Sequence, residues 1–252
     1  VHDLSDDAMA RRVELGAVSA ESPAAAARGA DVVSIVVFDD AQLLAVCSGA
    51  DGVLSTLEAG SVIAVHTTAT LSTIRTLADL AAATGVRVVD AGISGGETGA
   101  RDGTLLLLVG GDPDAVAFIT PALDAFAKEI VHAGALGTGM ALKLARNATG
   151  YAWMSVVRDA MDLAVRAGVD PARLRHAIEQ TGVFDQALVP LGLGGPEAYP
   201  AGAPEIAIFE HVARLADKDL EHAAALADEV GASIPMLELA RAEFPRSMRL
   251  RD

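Results

Sequence analysis

The chain has few of the residues on which several protein classes depend. Its single cysteine, Cys47, excludes disulfides within the chain and cysteine-based metal clusters, and predicts a reducing, cytoplasmic compartment. Lys and Arg number 19 against 34 Asp and Glu, so the formal charge is −15, and no basic stripe is present. Nucleic acids and anionic membranes are therefore poor partners. No apolar run reaches the ~18 residues of a membrane span, and the six histidines lack metal-ligand spacing, so we expect neither membrane nor metal.

Small and apolar residues are abundant instead. The chain is 52% hydrophobic but only 4% aromatic, and it contains 24 glycines, a composition typical of an α/β protein with closely packed helices. In the first half, β-branched runs alternate with helical patterns, which predicts βαβ units in a parallel sheet. The predicted strands cover 31–37, 61–65, 86–89, 104–109 and 130–132, and 1–3 is predicted to end another strand. After 134 the pattern is helical only, so we predict domains over 1–134 and 135–252.

The carboxyl ends of parallel strands are where ligands bind in such sheets. Asp3 follows the first predicted strand end, and an acid there can accept both ribose hydroxyls of an adenosine while repelling a 2′-phosphate. A role in starting the next helix, or as a solvated loop acid, is an equally good interpretation of Asp3. The next strand ends lead into residues 38–40, 66–68 and 90 onwards.

A glycine-dense stretch from Asp90 to Thr104 is predicted to be a loop. Ser94, Gly95 and Gly96 within it could present a hydroxyl and successive N–H groups to a carboxylate. Ordinary turn chemistry explains the same glycines, and from this stretch alone it is the better explanation.

A second glycine-rich turn, from Gly134, leads into a helix predicted from Met140 to Arg166. Lys143 would lie in its first turn, where a cation is disfavoured, and Asn147 and Tyr151 would follow on the same face. The lysine is too far from the last glycine for a P-loop. Helical spacing alone leaves two interpretations of Lys143 open, a solvated surface side chain and a functional one.

Four separated stretches together resemble the β-hydroxyacid dehydrogenase family. Residues 90–105 resemble its DAPVSGG…GA…GTL substrate loop, and residues 134–147 resemble its GxxGxGxxxKxxxN helix start. Residues 65–68 stand where the family has a Ser-Thr pair near the nicotinamide, and residues 216–220 resemble its Lys-Asp-Leu element. Each motif is weak alone, but their order and spacing fit over nearly the whole chain.

The resemblance implies a Rossmann-type parallel-sheet domain followed by an all-α C-terminal domain, with NAD and a small β-hydroxy acid or its semialdehyde as ligands. Lys143 would be the catalytic proton donor and acceptor, Asn147 would hold the substrate, and Ser94, Gly95 and Gly96 would bind its carboxylate. NAD is favoured over NADP because Asp3-Leu4 stands where NADP-preferring relatives carry Asn-Arg. The family also tends to associate, so we expect a homodimer or a higher homo-oligomer. The implied cofactor residues are Asp3, Leu4, Val37, Phe38, Thr68 and Lys218.

The chain departs from the family pattern in several places. The family's first strand and GxGxxG loop, roughly thirty residues, would precede Val1, so we expect the Rossmann-type domain to be N-terminally incomplete. Gly92 replaces a proline, and Arg146 replaces an asparagine. Two rival functions follow: an imine reductase on the same scaffold, whose members usually carry a different residue at the Lys143 position, and a non-catalytic remnant without the cofactor loop.

Overall fold

The computed structural model describes residues 1–252 and divides into two compact units, Val1–Ala148 and Thr149–Asp252. The first unit holds a five-stranded sheet with helices, and the second is helical. The predicted α/β fold followed by a helical region is therefore confirmed.

The sheet follows chain order, β1-β2-β3-β4-β5. Its strands are β1 Val32–Ile35, β2 Val62–Val65, β3 Arg87–Ser94, β4 Leu105–Gly110 and β5 Ala127–Gly134. All neighbours pair in parallel except β3 and β4, which are antiparallel. The expectation of a wholly parallel sheet is wrong at that pair, because a parallel crossover needs about a dozen residues or more and the segment joining β3 to β4 is shorter.

Side-chain hydroxyls and carboxylates start most helices of the first unit. These are α1 Asp6–Val13, α2 Pro23–Ala27, α3 Asp40–Cys47, α4 Leu71–Ala82, α5 Gly96–Asp102 and α6 Pro113–Leu123. Ser5, Asp39 and Asp112 each accept a first-turn N–H group. The expected strand end at residues 1–3 is wrong: this segment has no strand partner and is held by hydrogen bonds to residues 18 and 20.

The core occupies both faces of the sheet because alternate residues of a strand point to opposite faces. On β2, Ile63 and Val65 join a cluster with Leu43 of α3 and Leu77 of α4. Val62 and Ala64 face the other side, in the cluster that contains Ile119 of α6. Burial on both faces is what the continuous apolar strand pattern predicts.

The remaining helices are α7 Thr138–Arg166, α8 Pro171–Thr181, α9 Val183–Gln186, α10 Glu205–Val230 and α11 Pro235–Ser247. The first unit includes α7 up to Ala148, and the second unit begins at Thr149. Asp170 caps α8 through its carboxylate, which accepts the Ala172 N–H. The buried Asp159 accepts the Met236 N–H at 2.7 Å and so caps α11 from a distant part of the chain. None of the helices combines the length with the apolar composition that a membrane span requires.

Candidate active site

Lys143 is buried at the start of α7, against the end of β3. Its side chain is only 8% exposed, and its Nζ donates a hydrogen bond to the carbonyl oxygen of Ile93. A Cβ placed on Gly92 would lie 3.0 Å from the Lys143 Cβ, so the missing side chain at 92 lets the lysine stem lie against the strand. The interpretation of Lys143 as a solvated surface residue is therefore wrong.

The pKa of Lys143 is lowered by its surroundings. Burial is the main cause because it disfavours the charged form, and the positive charge of Arg146 adds to it. The predicted position in the first helical turn is wrong: α7 begins at Thr138, so Lys143 lies in the second turn. The lowered pKa is thus explained by burial and a neighbouring cation.

Asn147 lies one turn beyond Lys143 on the same helix face. It is partly exposed, and its Oδ1 accepts a hydrogen bond from the Arg146 guanidinium at 3.3 Å. Its amide nitrogen is the part left to meet a ligand. Tyr151, the next residue of this stripe, is largely exposed and belongs to the second unit.

The predicted carboxylate-binding residues lie directly after the residue that Lys143 contacts. The expectation of a loop over 90–104 is wrong, since β3 continues to Ser94 and α5 begins at Gly96. Gly95 has φ 131° and Gly96 has φ 64°, so the turn uses backbone conformations that side chains rarely permit. Because Ile93 precedes Ser94 in the chain, the turn and the lysine lie at the same end of β3.

Asp90 is a further residue of this region, and its role was missed at the sequence level. Its carboxylate is fully buried, with Oδ1 accepting the Gly137 N–H at 2.6 Å and Oδ2 accepting the Met140 N–H at 2.5 Å. Burial raises the pKa of Asp90, and the N–H donors of the glycine turn oppose that rise. The only sequence signal is an acid within an otherwise apolar strand.

His66 is a third buried titratable group at this edge of the sheet, besides Lys143 and Asp90. Its Nδ1 donates to the Ala91 carbonyl at 2.7 Å, and its Nε2 lies 3.2 Å from the Ser34 hydroxyl. Burial lowers the pKa of His66, which favours the neutral ring. Its two hydrogen bonds link the end of β2 to β1 and β3. No group of three or more His, Cys, Asp or Glu side chains is placed to hold a metal ion.

Four of the six predicted cofactor residues line one cleft of about 780 Å³ in the first unit. Asp3, Leu4, Val37 and Phe38 are among its walls. The volume suits a nucleotide-sized ligand. The 88% exposed Phe38 offers an aromatic surface in the same cleft as the exposed Asp3 carboxylate, a combination that suits an adenosine. Asp3 also accepts the Ser5 N–H at 2.8 Å, so its role beside the start of α1 is present too.

The other two predicted cofactor residues do not line that cleft. Thr68 is exposed just beyond the end of β2. Lys218 lies on α10 in the second unit, where its Nζ is 3.1 Å from a carboxylate oxygen of Asp219 and both side chains are largely exposed. The first unit therefore brings together Lys143 with the Ser94 turn, and separately Asp3 with Phe38.

Comparison with known proteins agrees with these observations. Residues 1–134 match the NAD binding domain of 6-phosphogluconate dehydrogenase. An uncharacterized oxidoreductase of Mycobacterium tuberculosis is 34% identical, over 95% of this chain and 81% of that protein. The 3-hydroxyisobutyrate dehydrogenase of Pseudomonas aeruginosa is also 34% identical, over 97% of this chain and 82% of its own. A crystal structure of a Mycobacterium avium 104 protein superposes with a TM-score of 0.84 at 31% identity, covering 99% of this chain and 89% of that one. The chain is thus an oxidoreductase with an NAD(P)-binding Rossmann-type domain, and it belongs to the β-hydroxyacid dehydrogenase family.

Proposed function

We propose that the chain interconverts a small β-hydroxy acid and its semialdehyde or keto form with NAD as the hydride carrier. The observation that carries this proposal is Lys143: a buried amine with a lowered pKa, held one residue from the Ser94 turn. A buried lysine with a lowered pKa can act as a general base or acid near neutral pH.

The substrate carboxylate would bind at the turn that follows β3. The Ser94 hydroxyl and the N–H groups of Gly95 and Gly96 are donors suited to a carboxylate. A Cβ on Gly95 would approach a Leu105 methyl group to 3.0 Å, so glycine also keeps this turn closed against β4. A carboxylate held here would place the β-carbon of a short acid within reach of the Lys143 amine, which is hydrogen-bonded to the Ile93 carbonyl oxygen.

The reaction then follows from the state of the lysine. In oxidation, the neutral Lys143 amine takes the proton of the substrate hydroxyl as the β-carbon gives up its hydride and the C–O bond becomes a carbonyl. In reduction, the ammonium returns that proton to the oxygen. The bound cofactor would supply the other half of the exchange, NAD accepting the hydride in oxidation and NADH returning it in reduction. The Asn147 amide would donate a hydrogen bond to the same substrate oxygen and fix its orientation.

The choice of NAD is supported by the acidic end of the cofactor cleft. The Asp3 carboxylate would accept hydrogen bonds from ribose hydroxyls and repel the 2′-phosphate of NADP. The exposed Leu4 and Phe38 and the partly buried Val37 would contact the adenine and the ribose. Thr68 and Lys218 are proposed to complete the cofactor site.

Substrate assays test this function. The purified protein should reduce NAD in the presence of short β-hydroxy acids, and with NADP it should be at least about tenfold less efficient. Methyl esters of the same acids serve as controls: because the Ser94 turn would bind a free carboxylate, the esters should lose at least about tenfold in kcat/KM. Equal turnover of acid and ester, or reduction of cyclic imines without any hydroxy acid oxidation, would contradict the proposal.

We also propose that the protein forms a homodimer through α7. Apolar side chains recur along this helix at spacings of three and four, which makes one continuous stripe. Tyr151 and Met154 within it are 67% and 70% exposed, and contiguous exposed apolar side chains of this kind mark interaction surfaces. The stripe consists of Tyr151, Met154, Val157, Met161 and Val165.

The double variant Met154→Asp/Met161→Asp is expected to raise the dimer dissociation constant by roughly a hundredfold or more, because two charges would be buried at the centre of the interface. Sedimentation velocity over a concentration series measures this. Leu191→Asp is the control, since Leu191 is equally apolar and 83% exposed but lies off α7. A monomeric wild type, or an unchanged dimer in the double variant, would rule out this interface.

A further inference from the structure

The start of α7 is held by a carboxylate from a different element of the fold. Asp90 lies in the middle of β3, and its two oxygens accept the N–H groups of Gly137 and Met140, 47 and 50 residues further along the chain. The first N–H groups of a helix have no partner within the helix and need an acceptor from elsewhere. A buried carboxylate meets that need and also suits the positive end of the helix dipole.

The Gly137 and Met140 N–H groups are not accepted by a side chain from the start of α7 itself. The Thr138 hydroxyl, at the first residue of α7, donates to the Ala135 carbonyl. The backbone of the turn is instead fitted closely to the sheet, since a Cβ on Gly110 of β4 would lie 2.6 Å from both Asp90 Oδ1 and the Gly139 nitrogen. The first turn of α7 is therefore fixed by Asp90 and by backbone packing.

The same strand face that carries Asp90 also meets Lys143. Residues two apart on a strand point to the same side, so Asp90 and Gly92 both face α7. Asp90 contacts the first helical turn, and Gly92 is the residue against which the Lys143 stem rests. These two contacts fix the position of α7 along β3. They therefore also fix where the Lys143 amine lies relative to Ile93 and Ser94.

We propose that Asp90 is a positioning residue for Lys143: it holds the first turn of α7 on β3 and thereby places the amine beside the Ser94 turn. This inference deepens the proposed function and rests on it for the meaning of the lysine's position. Asp90 itself is fully buried and bonded to the backbone, so it acts through α7 and not on the substrate.

The test compares Asp90→Asn with Asp159→Asn. Asp159 is also buried and also caps a distant helix, but that helix is α11. Both variants should lose stability. Only Asp90→Asn should also lower kcat, by up to about a hundredfold, which is the order of loss that a misplaced catalytic group produces.

A second readout does not require turnover. The chain has only three lysines, Lys128, Lys143 and Lys218, so 13C reductive methylation gives few signals and the Lys143 signal can be titrated by NMR. If Asp90→Asn loosens the helix start, Lys143 becomes more hydrated and its pKa rises relative to the wild type, whereas Asp159→Asn leaves the titration unchanged. If Asp90→Asn does not fold, Asp90→Ser, which keeps one acceptor, is titrated and judged by the same criterion.

Loss of stability in Asp90→Asn with an unchanged Lys143 titration would overturn the positioning role. A wild type that oxidises no hydroxy acid would overturn the proposed function instead, and the titration would still decide whether Asp90 places the lysine. The two failures are therefore distinguishable.

Discussion

Replacing Lys143 with methionine is expected to lower kcat for hydroxy acid oxidation by about a thousandfold, within the usual range for loss of a general acid–base group. Methionine has a similar length and can keep the contact with Gly92, but it can neither accept nor donate the proton. The Kd for NAD should change by no more than about twofold, since the cleft that holds Asp3 and Phe38 does not include Lys143. Stopped-flow single turnovers and fluorescence titration of the cofactor measure the two quantities.

Lys128→Met is the matched control for this variant. Lys128 lies on β5, its side chain is exposed, and it has no part in the proposed site, so its removal should leave kcat unchanged. If Lys143→Met retained kcat within about fivefold of the wild type, Lys143 would not be the acid–base group.

The pH dependence of wild-type activity should follow the ionisation of Lys143. Oxidation requires the neutral amine, so kcat/KM should rise with pH and level off above the pKa of Lys143. Burial and Arg146 lower that pKa, so the plateau should begin at a lower pH than an ordinary lysine would allow. Reduction requires the ammonium and should show the opposite dependence. In Lys143→Met this ionisation should disappear from both profiles.

The sequence predicts well those elements whose signals are local. The helical pattern predicted after residue 134 includes α10, whose apolar residues recur with helical period and end at Gly231, which takes the left-handed cap conformation. The strand predicted over 61–65 lies within one residue of β2, since four consecutive apolar residues fit a strand buried on both faces. Local spacing also marks Lys143 as a candidate functional residue, since it follows a glycine-rich turn at the start of a helix.

The parts that sequence reasoning missed depend on contacts between distant residues. The role of Asp90 requires Gly137 and Met140 to lie beside it in the fold, and no signal near Asp90 in the sequence indicates those contacts. The antiparallel pairing of β3 with β4 depends on the short α5 between them. The glycine-dense pattern of that segment predicts a loop and not a helix. The predicted start of the helix that carries Lys143, at Met140, is two residues too late. Gly139, a poor helix former, lies inside α7, which begins at Thr138.

Gly139 has a packing reason for being inside that helix. A Cβ at this position would lie 2.5 Å from both the Gly110 nitrogen and the Leu108 carbonyl oxygen, which are backbone atoms of β4. Backbone in the centre of a sheet cannot move aside as a long side chain would. Any side chain at 139 must therefore lift the first turn of α7 away from the sheet, and with it the N–H groups that Asp90 accepts.

Gly139→Ala is accordingly expected to destabilise the protein by about 3 kcal/mol, at the upper end of overpacking costs, although alanine favours a helix over glycine by about 1 kcal/mol. For a chain of this size the melting temperature should fall by about 6 to 12 °C. Gly150→Ala is the control within the same helix, because a Cβ there meets no atom within 4 Å. It should leave the melting temperature unchanged or raise it. Calorimetry of both variants measures these changes. A Gly139→Ala protein as stable as the wild type would show that α7 can shift on β4, and that the position inferred for Lys143 is not fixed by this packing.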